Sequence, residues 1–125
     1  MKKSRRPKKR RVENLKESFR KSPEWSEFRT RIAELFNHQD YLTGRRLTKG
    51  YNVHHLKTGQ DVEGYCDISD ETKFMPLNRY SHKLLHYVFT YYRKDKSILD
   101  RLREVLDRMC ELEQEEKEAT QIQQN

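Results

Sequence analysis

The chain has 125 residues, of which 33% are hydrophobic and 38% charged, a size that accommodates one small domain rather than a large enzyme with two lobes. No run approaches the roughly 20 apolar residues of a membrane-spanning helix, which excludes an integral membrane protein. The formal net charge is +7, but eight cations and no anion lie within residues 1–12, so the remainder is nearly neutral. The eight cations are Lys2, Lys3, Arg5, Arg6, Lys8, Lys9, Arg10 and Arg11.

Composition divides the chain into three parts. Residues 1–12 repel one another and have little to bury, so we expect a disordered basic arm, then a domain over residues 13–95 and a C-terminal segment over residues 96–125. The first residues lack the apolar stretch of a secretory signal peptide, which favours an intracellular, cytoplasmic location. Cys66 and Cys110 form no Cys-x-x-Cys pair, so neither a disulfide framework nor a cysteine zinc ribbon is expected.

Helix signals dominate the first part of the domain. A helix is expected to begin near Glu13. Ser22-Pro23-Glu24 then gives an N-cap, a proline at the first helical position and an acid in the first turn. Apolar residues follow at helical spacing, so the sequence predicts an amphipathic helix over residues 24–37.

A short β-hairpin is predicted within residues 41–56. Gly44 and Gly50 are turn residues around a polar connector, and Tyr51-Asn52-Val53 leads into His54-His55. Residues 57–73 are polar and rich in turn formers, which predicts a loop over the hairpin.

Two further amphipathic helices are predicted. The first follows Asn78 and ends near residues 94–95, and the second begins at Ser97. The apolar positions of the last helix cover only about two heptads before an acidic end. This helix either packs back on its own core or forms a homodimer.

Four of the five histidines fall into two groups. His82 and His86 are four residues apart on a predicted helix, a spacing that places their imidazoles on one face, where both can reach one metal ion. The competing interpretation is two incidental polar positions. His54 and His55 are consecutive on a strand, where neighbouring side chains point to opposite faces, so one can bind a metal while the other faces a substrate.

Two elements, Val53-His54-His55-Leu56 and Pro76-Leu77-x4-His82-x3-His86, occur in this order and resemble the HNH endonuclease family, with small phage-encoded members closest in appearance. The resemblance covers residues 22–92. It implies an α+β fold with a small ββα-metal (His-Me finger) core, flanked here by N- and C-terminal helices. It also implies hydrolysis of phosphodiester bonds in double-stranded DNA, by nicking or double-strand cleavage, with one divalent metal ion.

The resemblance assigns roles to individual residues. His54, His82 and His86 resemble the metal ligands, with Mg²⁺ or Mn²⁺ as the first candidates and Zn²⁺ or Ni²⁺ as alternatives. His55 resembles the general base that takes a proton from the attacking water. Asn78 is taken as the catalytic asparagine, although the usual position of that residue holds Lys73 and Asn78 is equally suited to cap a helix.

The basic residues are candidates for DNA contacts. The cations of the arm attract the phosphate backbone without reading sequence. Arg45, Arg46 and Lys73 lie near the predicted site and are candidates for phosphate contacts, although each is equally an ordinary solvated cation.

Two other interpretations remain open. In the first, the chain is a catalytically inactive HNH-fold protein that binds nucleic acid or a protein of the phage or its host. In the second, the basic run is a nuclear localisation signal and the last helix a dimerisation element.

Overall fold

The structure is a computed structural model that describes residues 5–124, with side chains described for residues 9–123. This part of the chain forms an α+β fold with five α-helices and one two-stranded antiparallel sheet. Within it, none of the helices is both long enough and apolar enough to cross a membrane. Contacts divide the chain into two compact units, Met1–Leu84 and Leu85–Asn125.

The first helix, α1, spans Arg5–Arg20, so the expectation of disorder is wrong for residues 5–12, and the helix begins well before Glu13. One face of the helix is partly buried through Val12, Lys16 and Phe19, and this contact anchors it. Lysine and arginine have high helix propensity, so the helix continues through the basic residues that precede Val12. Pro7 is tolerated because it lies in the first turn, where backbone N–H groups lack helical acceptors. Residues 1–4 lie outside the described residues.

Helix α2 spans Pro23–Leu35 and carries the main contribution to the core. Its predicted start is confirmed, since Ser22 is the N-cap and its hydroxyl accepts a hydrogen bond from the backbone N–H of Trp25 at 3.2 Å. One face of α2 is buried against the sheet. The core cluster consists of Trp25, Phe28, Ile32, Val53 and Phe74.

The sheet pairs strands that are distant in sequence. Strand β1 is Asn52–His55 and strand β2 is Phe74–Leu77. They are antiparallel, with Val53 opposite Pro76 and His55 opposite Phe74. The predicted hairpin within residues 41–56 is therefore wrong. Residues 41–51 form turns, in which Arg46 makes an isolated bridge with Gln39, and β1 pairs with β2 after a long connection.

The connection between the strands is partly ordered. It contains a one-turn helix, α3, over Val62–Tyr65 and a 3-10 turn over Glu71–Lys73, where a plain loop was predicted. Helix α4 follows β2 directly and spans Arg79–Tyr92. Helix α5 spans Ser97–Gln124 and begins at the predicted residue.

Candidate metal centre and its surroundings

Strand β1 separates the two adjacent histidines. Side chains alternate along a strand, so His54 and His55 lie on opposite faces of the sheet. His54 is buried, and its ring centroid is 5.2 Å from that of His82 on α4. His55 instead lies on the face that packs against α2. The His54 imidazole therefore points towards α4, and the His55 imidazole points towards α2 and the core.

Three of the predicted site residues converge. One ring nitrogen from each of His54, His82 and His86 lies within 4.8 Å of the other two. His82 and His86 are one turn apart on the continuous helix α4, which places His86 beside His82 by local helix geometry alone. Burial falls along the group, from the buried His54 to the exposed His86. The group is thus accessible from one side and has the imidazole chemistry that binds divalent transition ions.

His55 does not belong to this group. Its ring stacks on Tyr65 with 4.2 Å between centroids, and its other neighbours include the ring of Trp25 at 5.6 Å. Its Nε2 lies 2.9 Å from the carbonyl oxygen of Tyr65. Because a carbonyl only accepts hydrogen bonds, this nitrogen carries the proton, and Nδ1 holds the lone pair of the neutral ring.

Burial is the main cause that lowers the pKa of His55. The Tyr65 carbonyl opposes this by raising the pKa, whereas the positive charges of Lys16 and Arg20 on α1 lower it further. The net direction is downward, which favours the neutral imidazole.

Helix α1 contacts Tyr65, the residue on which His55 stacks. Arg20 donates a hydrogen bond to the Tyr65 hydroxyl at 2.8 Å, and the ammonium of Lys16 lies 5.1 Å from the centre of the Tyr65 ring. Lys16 also donates to the carbonyl of Gln60 at 2.9 Å. The part of α1 after Glu13 therefore binds the connection between β1 and β2 at Gln60 and Tyr65, next to His55.

A cavity of about 140 Å³ opens beside His55 on this face of the sheet. Lys57 and Lys73 line it together with Asp67 and Asp70. Hydrogen bonds from Ser69 and Thr72 lower the pKa values of Asp67 and Asp70, which keeps both exposed carboxylates ionised. The two negative charges offset the positive charges of the lysines. Lys73 thus lies beside His55 rather than in the histidine group.

Asn78 immediately precedes α4, where its side chain joins two segments. Its Oδ1 accepts a hydrogen bond from the backbone N–H of Thr48 at 2.8 Å, and its Nδ2 donates to the carbonyl of Arg46 at 3.0 Å. Its carbonyl accepts from the N–H of His82 at 3.0 Å, as in a first helical turn. The amide thus fixes residues 46–48 to the start of the helix that carries His82.

Asp40 completes this junction and was not singled out from the sequence. It is 1% exposed, and its carboxylate accepts hydrogen bonds from the backbone N–H of Thr43 at 2.7 Å and of Asn78 at 2.6 Å. Burial raises the pKa of Asp40, but hydrogen bonds from Asn78, Thr43 and Ser81 outweigh it, and the net shift is downward. The available signal was the Asp-x-x-Thr-Gly pattern of residues 40–44, which is typical of an aspartate-capped turn.

The other predicted DNA contacts are dispersed. Arg45 and Arg46 are exposed on the turn that Asp40 closes. Lys9, Arg10 and Arg11 are exposed on α1. The backbone of residues 5–8 is helical, but their side chains lie outside the described part of the chain, as do Lys2 and Lys3 altogether.

Comparisons with protein-family models, with curated proteins and with solved structures found no match for this chain.

Proposed function

We propose that the chain is a metal-dependent endonuclease of the HNH type, with a ββα-metal core made of β1, β2 and α4, that hydrolyses phosphodiester bonds in DNA. The observation that carries the proposal is the convergence of His54, His82 and His86 within 4.8 Å. One ligand comes from the first strand and two from the helix after the second strand, in the order that the HNH resemblance implies.

The donor set indicates which ion the site prefers. Three imidazoles suit Zn²⁺ or Ni²⁺, whereas Mg²⁺ and Mn²⁺ favour oxygen ligands. The three imidazole donors therefore favour Zn²⁺ and Ni²⁺, the two ions that the sequence left as alternatives. When bound, such a cation polarises the phosphodiester and offsets the negative charge that develops on its oxygens.

In this proposal, His55 is the general base. Its lowered pKa keeps the ring a neutral acceptor, but its contacts with Tyr65 and Trp25 hold it on the face of the sheet opposite His54. The role of His55 therefore rests on the resemblance and not on proximity to the three histidines. Lys57 and Lys73 line the cavity beside His55 and are the proposed contacts to phosphate oxygens of the DNA backbone. The cations of α1 supply attraction that does not depend on sequence.

Plasmid cleavage tests the proposal. Supercoiled plasmid is incubated with the protein and Zn²⁺, Ni²⁺, Mn²⁺ or Mg²⁺. Cleavage by the unchanged chain is compared with cleavage by three variants, His82→Ala, His55→Ala and His38→Asn. His38 lies outside the three-histidine group, and asparagine tolerates its positive φ of 59°, so His38→Asn is the matched control. We expect cleavage by the unchanged chain and the control, and about a 100-fold or greater loss for each of the other two variants.

The outcomes separate the steps of the proposal. Absence of cleavage by the unchanged chain with all four ions would overturn the endonuclease proposal. Equal cleavage by His55→Ala and the unchanged chain would overturn the role of His55 alone. Calorimetric titration with Zn²⁺ reports the metal site independently, because His82→Ala removes a ligand whereas His55→Ala does not.

The position of His55 favours a second candidate function, a catalytically inactive binder of nucleic acid. Its ring packs against Trp25 and Tyr65 on the face opposite His54, where an aromatic core histidine would also be stable. In that case the three histidines bind a structural ion. The binder is distinguished by metal-dependent DNA binding in a gel-shift assay without cleavage by any of the four ions.

A further inference from the structure

Helix α5 carries an apolar face that the described residues leave exposed. The face, called here the α5 stripe, consists of six large side chains that are each between 43% and 59% exposed. They recur at spacings of three and four residues and so lie along one side of the helix. The six are Leu99, Leu102, Val105, Leu106, Met109 and Leu112.

Such a face needs a partner. Helices in folded proteins gain most of their stability by burying an apolar side rather than from helix propensity. The α5 stripe runs for about 20 Å along the axis at 1.5 Å per residue, and contiguous exposed apolar surface of this kind marks an interaction site.

Charged residues at the two ends of the α5 stripe indicate what kind of partner it binds. Residues 111–118, beyond the stripe, contain five glutamates and one lysine. Residues 93–96, before it, contain three cations and one aspartate. Glu113 and Glu116 continue the line of the stripe at the same spacing, so the stripe has an acidic end and a basic end.

The two relative orientations of a second α5 helix have opposite electrostatic consequences. A parallel pair places Glu113 and Glu116 against the same residues of the second copy, and like charges at a seam are destabilising. An antiparallel pair centred near Val105 superimposes the stripe on itself and brings each acidic end beside residues 93–96 of the other copy. The acidic end then also lies near the N-terminus of the opposite α5, where the helix dipole favours negative charge.

We propose that the α5 stripe is the interface of a homodimer in which two α5 helices pack antiparallel around a two-fold axis near Val105. The contact is isologous, because each copy contributes the same surface to it. The inference rests on α5 and its charge distribution and does not depend on the nuclease proposal.

The mass in solution tests the interface. Multi-angle light scattering or sedimentation equilibrium of the full chain at tens of micromolar is expected to give twice the mass of one chain. Leu106→Gln should weaken dimerisation about tenfold or more, because it removes a central apolar side chain from the stripe. Glu104→Gln introduces the same residue on the opposite face of α5 and should leave the mass unchanged.

Circular dichroism on the same samples confirms that both variants remain helical. A monomer for the unchanged chain, or equal dimerisation by Leu106→Gln and Glu104→Gln, would overturn the proposal.

Crosslinking tests the orientation in a Cys66→Ser background. In the antiparallel pair the two Cys110 residues are about 15 Å apart along the axis, so a short thiol crosslinker should not join them. Leu99→Cys introduces a thiol at nearly the same height as Cys110 of the second copy, and we expect a covalent dimer joined between positions 99 and 110. Efficient crosslinking of the Cys66→Ser chain through Cys110 alone would indicate parallel helices and overturn the antiparallel arrangement.

Discussion

The carboxylate of Asp40 accepts a hydrogen bond from the backbone N–H of Asn78 at 2.6 Å, although 38 residues separate the two in sequence. Asn78 is the last residue before α4, so the contact joins the turn after α2 to the first turn of the helix that carries His82. The same carboxylate closes its own turn through Thr43. One buried aspartate thereby fixes the start of the helix that carries His82 and His86.

We expect Asp40→Ala to lower the free energy of unfolding by about 2–4 kcal/mol, because it leaves the N–H groups of Thr43 and Asn78, whose hydrogen bonds are partly buried, without their acceptor. Urea denaturation measures this loss. Asp67→Ala is the control: Asp67 is exposed and accepts only local hydrogen bonds from Ser69, so its loss should stay below about 1 kcal/mol. Equal losses for the two variants would contradict the role given to Asp40.

The lowered pKa of Asp40 predicts a pH dependence of stability. A carboxyl whose pKa is depressed in the folded state contributes stability above its unfolded pKa, and this contribution is lost as the pH falls through the folded pKa. The difference in unfolding free energy between the unchanged chain and Asp40→Asn should therefore be constant above about pH 5 and shrink below about pH 4. Urea midpoints between pH 7 and pH 3 test this, and a difference that stays constant to pH 3 would contradict it.

Asn78→Ala separates a structural role of the amide from a role at the metal. The variant loses the hydrogen bonds to Thr48 and Arg46, so we expect about 1–2 kcal/mol less stability by urea denaturation. Calorimetric titration should show unchanged Zn²⁺ affinity, because the three histidines are retained. His82→Ala is the matched comparison and should lose Zn²⁺ affinity. A loss of Zn²⁺ affinity in folded Asn78→Ala would place the amide at the metal.

Deleting residues 1–11 removes the eight clustered cations and keeps the partly buried face of α1 from Val12 onward. DNA affinity should fall, and its dependence on salt should become shallower by up to about 0.9 logarithmic units for each phosphate that the segment neutralises. Fluorescence anisotropy at several salt concentrations measures both quantities.

The control for this deletion replaces Lys2, Lys3, Lys8 and Lys9 by arginine, which keeps the charge and should keep the salt dependence. An unchanged slope after the deletion would show that the segment does not bind DNA.

Local patterns in the sequence predicted the elements that depend on neighbouring residues. Ser22-Pro23-Glu24 fixed the start of α2, because a cap and a proline act within one turn. The spacing of His82 and His86 predicted a shared helix face, and the alternation of a strand predicted that His54 and His55 diverge. These are consequences of the 3.6-residue and two-residue periods, which need no distant contact.

Other features were decided by partners far along the chain. β1 pairs with β2 rather than with residues 41–50, because turn residues mark where a chain bends but not which strand completes the hydrogen-bonded ladder. Helix α1 extends through the basic run because Phe19 and Lys16 pack against Trp25 and Tyr65, which composition does not reveal.

The sequence by itself thus determined the residue types of the candidate metal centre and the local geometry that presents them. Only the tertiary structure decided that His54 lies beside His82, that His55 packs on Tyr65, and that Asp40 is a buried cap. The physical reason is that caps and periodicities act over a few residues, whereas burial and strand pairing follow from the free energy of the whole fold.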